Sequence, residues 1–151
     1  MNQPQDAVLS LFKATDQRNW PQVEAQFSQS VVLDYASMNG NPATTLSPQE
    51  IAGAWKNVLP GFEHTHHQIG NLQTEVKGRT ASVFCYGTAS HYLPHDQGNV
   101  WWVVGTYDFD LEQAPDGVWR ITTMRFNYQF QDGNEALPEA AMRKVNQQGA
   151  R

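Results

Sequence analysis

Three side chains capable of acid–base chemistry stand where an ordinary small domain would place apolar ones: Asp16 at the end of an amphipathic segment, His67 in THHQIGN and His91 in GTASHYL. Histidine has an ordinary pKa near neutrality, so it can accept a proton and return it within one cycle. A carboxylate on the apolar stripe of a helix is costly to bury unless a donor or cation meets it, and histidine is the most useful such partner. The alternative for Asp16 is a solvated turn residue at a fraying helix end, ahead of an Asn19 cap.

Strand parity sorts the histidines. Successive side chains of a strand point to opposite faces, so His64 and His66 share one face while His67 shares the other with Ile69. A metal centre on His64 and His66 would need a further ligand on their side, and none stands at a fixed spacing, so they read as strand-edge histidines facing water. The face that carries His91 is a row of small residues, Ala81, Val83, Cys85, Gly87 and Ala89; the other carries Phe84, Tyr86 and Tyr92. Small side chains on a concave sheet leave volume unfilled, and an imidazole at the rim of that volume is how a ligand pocket begins. A merely hydrogen-bonded or exposed strand-end histidine is the plainer reading. Cys85 reads as packing, since no cation adjoins it in sequence to lower its pKa.

The elements that must hold these groups follow from periodicity. Val8, Leu11, Phe12 and Thr15 recur at helical steps between about Pro4 and Asp16, and Asp16 lies on the same stripe. Asn19 predicts the cap of a second helix, with Pro21 in its first turn and Val23 and Phe27 inward. Val31 to Tyr35 predicts a strand, and Ser47-Pro48-Gln49-Glu50 a capping box that opens a helix carrying Ile51, Ala54, Trp55, Val58 and Leu59. Pro60-Gly61 stops it. From there to Gln131 the period becomes two, with turns at Lys77 to Arg79, His95 to Asn99 and Pro115 to Gly117, so four long strands follow one another. The expected class is α+β, a mostly antiparallel sheet with one face covered by three helices placed first in the chain. The domain spans 1–134, and 135–151 reads as a tail, polar apart from Leu137, Met142 and Val145, that forms a short frayed helix or packs on a neighbouring subunit.

At 151 residues, a net charge of −5 and 17% charged residues, the chain reads as one domain able to surround a pocket, with no basic stripe for phosphates and no nucleic-acid partner expected. Met1 to Gln5 is polar and no apolar run approaches the roughly 20 residues that cross a bilayer. Neither a secretory signal nor a membrane partner is expected, and the expected location is the cytoplasm.

The ordered pieces ATDQRNW, VVLDY, THHQIGN, a strand ending in SHY, VVGTYDFDLE, DGVWRI and a closing DGN resemble the SnoaL-like group of the nuclear-transport-factor-two-like superfamily, which includes the scytalone dehydratases. The likeness runs from about Ala7 to Asn134. It implies a cone in which a strongly curved mixed sheet wraps three helices around a central pocket, usually as homodimers or homotrimers. It implies Asp16 as the acid paired with His91, His67 as a second catalytic histidine and Tyr35 as one of two water-holding tyrosines. The other tyrosine, one residue before the acid, is Thr15 here. A pocket serine and amide of that group fall on Thr106 and Asp108, which would put a carboxylate inside the cavity. Met38, Ala89, Met124 and Phe126 would supply apolar lining, with Trp55 over the mouth.

Two functions are compatible with these features. The first is a dehydratase-like lyase or isomerase without a cofactor: His91 takes a proton next to a carbonyl, Asp16 holds its ring in one tautomer, and His67 and Tyr35 donate to the developing enolate or leaving oxygen. Its substrate would be a small apolar or cyclic carbonyl compound. The second is a ligand-binding or assembly module on the same cone, including the small-subunit type of aromatic-ring dioxygenases. Of the adjacent Trp101 and Trp102, one must face away from the helices and could anchor a subunit interface. Asp16 and His91 about 3 Å apart around an open pocket would favour the enzyme, and a filled cone the binder.

Overall fold

Helix α1 (Pro4–Asp16) turns Val8, Leu11, Phe12 and Thr15 fully into the core, as its spacing requires. It ends where Arg18 takes a left-handed φ of 58° and the chain turns into α2 (Trp20–Ala25), whose first turn is capped by the Asn19 side chain. The computed structural model describes residues 3–149; residues 1 and 2 of the expected domain and 150 and 151 of the expected tail lie outside the described residues. Strand β1 (Phe27–Asp34) leads into two short elements that the periodicity does not predict, helix α3 (Ala36–Asn39) and strand β2 (Thr44–Leu46). Each is too short to carry a hydrophobic period. Helix α4 (Pro48–Lys56) opens on the capping box, with reciprocal Ser47 and Glu50 bonds of 3.0 and 3.1 Å.

After a 3-10 turn (Leu59–Gly61) come β3 (His64–Lys77), β4 (Thr80–Tyr92), β5 (Val100–Gln113) and β6 (Trp119–Gly133). The sheet order is β2-β1-β6-β5-β4-β3, with β1 and β6 parallel and every other pair antiparallel. This is the expected α+β architecture, a curved mixed sheet with α1, α2 and α4 against its concave side. Breaks in register at Gly70/Gln73, Val104/Gly105 and Asp110/Leu111 contribute to the bend, because a bulge increases local twist. The segment read as a tail forms α5 (Leu137–Gly149), which buries Leu137 and Ala141 completely beside Phe62 and Leu93 of its own chain.

Glycine at two inward positions lets large rings lie against the sheet. A Cβ on Gly87 would stand 2.4 Å from the Tyr107 ring, and one on Gly105 would stand 2.3 Å from the Asn127 carbonyl and 2.7 Å from the Phe126 ring. Because backbone is one of the obstructions at Gly105, we expect Gly105→Ala to cost about 1–3 kcal/mol, read as a lower urea midpoint. An unchanged midpoint would show that β6 can shift at no cost.

Candidate active site

Asp16 closes α1 at the point where that helix lies along β3. Its Oδ2 accepts the His67 backbone N–H at 2.8 Å, and its Oδ1 accepts the Thr65 hydroxyl at 3.1 Å and lies 2.7 Å from His67 Nδ1. Burial on its own pushes the Asp16 carboxyl up, but the hydrogen bonds and charge of His67, with the Thr65 hydroxyl, outweigh it and hold the group below its ordinary value. An ionised carboxylate can only accept, so Nδ1 of His67 carries a hydrogen, and in the neutral ring the lone pair is on Nε2.

The acid therefore pairs with His67, which corrects the expected pairing with His91. Parity explains the near miss. His67 and Thr65 share the inward face of β3, and His91 faces the same interior from β4, where it stands opposite Thr65 in the register. Face alone does not separate two histidines on adjacent strands; the position of the α1 terminus does. His91 spends its Nδ1–H on the Trp101 carbonyl at 3.0 Å. Burial pushes its pKa down to about 4, with the Trp101 bond working against that shift, so the ring is neutral near pH 7 and presents Nε2 as an acceptor. The two imidazoles stand edge to face with centroids 6.3 Å apart.

Both rings line a cavity of about 500 Å³ enclosed by the concave sheet, α1, α4 and the β1–β2 connection. Tyr35, Met38, Trp55, Ala89, Met124 and Phe126 line it as well. Asp16 stands behind His67 and borders an outer groove with Lys13, Gln17 and His66. Thr15 reaches the cavity wall, but its hydroxyl donates back to the Leu11 carbonyl at 2.7 Å, a local bond that leaves no hydrogen for a ligand. His64 and His66 are exposed.

Thr106 and Asp108 do not reach the cavity, a second correction. Along β5 the inward residues are Val103, Gly105, Tyr107 and Phe109, and the intervening Thr106 and Asp108 sit on the outer face, where the Asn127 amide bridges them at 3.1 and 2.8 Å. No carboxylate is among the cavity-lining groups of the described residues. The alternation was readable in GTYDFDLE, because Tyr107, Phe109 and Leu111 form the apolar parity. Tyr107 is the functional candidate that sequence reasoning missed. Its phenol meets that of Tyr35, and burial pushes Tyr35 up to about 12 and Tyr107 well above its ordinary value. Both remain protonated, and since one phenol accepts from the other, a single hydrogen of the pair is left for a ligand. Trp101 faces inward, its ring 4.4 Å from that of His91 and its Nε1–H on Gln131 at 2.8 Å, while Trp102 faces outward.

A family model described as a SnoaL-like domain matches residues 4–125. An uncharacterized protein of Mycobacterium tuberculosis is 29% identical over 119 residues, covering 78% of this chain and 77% of its own. Among solved structures, a protein of Kribbella flavida superposes with a TM-score of 0.80 at 21% identity, covering 90% of this chain and 92% of that one. A candidate scytalone dehydratase of Novosphingobium aromaticivorans gives 0.75 at 16% identity, with 87% and 85% covered. A hexachlorocyclohexane dehydrochlorinase gives 0.71 at 17%, with 86% and 85% covered.

Proposed function

The chain belongs to the SnoaL-like domain family, and we propose that it is a cofactor-independent lyase or isomerase in which His67 is the base and Asp16 its supporting acid. The observation that carries this reading is the 2.7 Å contact between Asp16 and His67 Nδ1, made by a ring that also faces the cavity. Nε2 of His67 takes a proton from the carbon next to a carbonyl, and the imidazolium that forms keeps Nδ1–H on the carboxylate. The same proton then goes to the departing hydroxyl oxygen in an elimination, or to the next carbon when a double bond shifts. The Tyr35–Tyr107 pair spends one phenol hydrogen on its own bond and offers the other to the developing enolate oxygen, a contribution that can reach roughly 3–4 kcal/mol for a well-placed donor. His91 has no carboxylate contact to support a charged form, so its part is to accept a hydrogen bond from a substrate hydroxyl or water. The uncharged aromatic wall suits a neutral, cyclic, largely apolar carbonyl compound. Dehydratase and dehydrochlorinase names among the fold neighbours support elimination chemistry.

The test is a panel of neutral cyclic ketones incubated with the protein in D2O. Protein-dependent exchange of the α-protons, lost in His67→Ala, is the expected result. Exchange that survives His67→Ala would remove His67 from the mechanism.

We also propose a homodimer through the outer sheet face, where Tyr86, Trp102 and Phe130 are 53%, 39% and 53% exposed around Val104. Contiguous exposed aromatics of this kind mark interfaces more often than free surface. Trp102→Glu combined with Phe130→Glu should give monomers in sedimentation; wild-type protein that is already monomeric at micromolar concentration would exclude the dimer.

A further inference from the structure

Arg18 sits just beyond α1 in the left-handed region, uncommon for a residue with a Cβ, and that turn aims its half-buried guanidinium back at the base. Nη2 donates to the Leu59 carbonyl at 2.8 Å, and Nη1 donates to Thr65 Oγ1 at 2.5 Å, with longer contacts to the Thr15 and Asp16 carbonyls at 3.3 and 3.4 Å. A guanidinium has donors only, so the Thr65 oxygen must accept, and its one hydrogen is left for Asp16 Oδ1 at 3.1 Å. Thr65 is only 7% exposed, which keeps competing water off its hydroxyl. Arg18 thereby sets the direction of the Thr65 hydrogen, and the carboxylate that this hydrogen meets sets the direction of the His67 Nδ1–H.

We propose that Arg18 is a positioning residue for the Asp16–His67 pair: by fixing the polarity of the Thr65 hydroxyl it holds the Asp16 carboxylate ionised and turned toward His67 Nδ1. The inference deepens the reading of His67 as base and rests on it. The titratable and charged neighbours of the pair are Lys13 on α1, His66 on the far face of β3 and His91 on β4; none is bonded to the Asp16 carboxylate, whereas Thr65 is. Arg18 is therefore the cation linked to the carboxylate through a defined hydrogen.

The test uses the full chain labelled with 13C and 15N, reading the Asp16 carboxyl titration and the His67 tautomer by NMR. Thr65→Val keeps the shape of the side chain and removes the hydroxyl; Thr65→Ser restores it. Thr65→Val and Arg18→Gln should each move the Asp16 midpoint upward and add the Nε2–H tautomer of His67, and Thr65→Ser should look like wild type. A part limited to packing would lower Tm and leave both signatures in place. Unchanged signatures in folded Thr65→Val and Arg18→Gln overturn the proposal, and a shift in Thr65→Val alone removes Arg18 from it. Should Arg18→Gln fail to fold, Arg18→Lys replaces it, with the same shift expected because a lysine cannot bond Thr65 and Leu59 in one fork. Failure of the catalytic reading is distinguishable: it shows as exchange surviving His67→Ala while the titration shift persists.

Discussion

Asp16→Asn should lower turnover by about 10³- to 10⁴-fold while the protein stays folded, a magnitude seen where an acid holds a catalytic imidazole in one tautomer. The amide is close in shape to the carboxylate but has one oxygen where the acid has two. In the native site both oxygens accept, one from the His67 backbone N–H and the other from Thr65 and His67 Nδ1. If the amide oxygen takes the backbone N–H, the amide NH2 faces the ring, and Nδ1 must become an acceptor. The hydrogen then moves to Nε2, which removes the lone pair from the cavity side. Two measurements decide: the α-proton exchange rate, and the 15N spectrum of His67. Wild-type exchange in Asp16→Asn would mean that the pair is structural.

The second large effect is on stability. In the unfolded chain His91 titrates near 6.5, and in the folded protein burial lowers it to about 4. Between these values the unfolded chain binds a proton that the folded one refuses, so stability is at its full value above about pH 6.5 and falls as the pH drops toward 4. At 1.36 kcal/mol per pKa unit the loss amounts to about 3 kcal/mol. Asp16, held below its ordinary value, adds to the loss at lower pH still, where its carboxylate is protonated and its bonds to His67 and Thr65 are forfeited. His91→Asn can keep the donor to the Trp101 carbonyl and has no charge to gain, so its urea midpoints should be flatter from pH 6.5 to 4 even if lower throughout. Parallel profiles for the two proteins would assign the acid sensitivity elsewhere.

These expectations turn on a contrast between face and position. Parity separated His67 and His91 from His64 and His66, because alternation follows from the geometry of any strand; of the small-residue row of β4 only Ala89 and His91 line the cavity, while the Tyr107 ring covers Gly87 and Ala81, Val83 and Cys85 are packed core. The resemblance put Tyr35, Met38, Trp55, Ala89, Met124 and Phe126 in the right neighbourhood, and these residues do line the cavity. It failed at Thr106 and Asp108, where the alternation of β5 itself gives the answer: one residue along, Tyr107 faces inward. Helix α5 escaped a firm reading because its contribution is only two buried residues, Leu137 and Ala141, too few to mark a face by period.

What the sequence determined by itself is local: the helix caps, the strand faces, the α+β class and the set of groups able to exchange protons. Each depends on residues within a few positions of one another, where steric and hydrogen-bonding rules act directly. The choice of partner for Asp16 was decided by tertiary structure alone. His67 and His91 point into the same interior from neighbouring strands, and only the packing of α1 along β3 brings the carboxylate to one of them, leaving the other buried without a charge and therefore neutral.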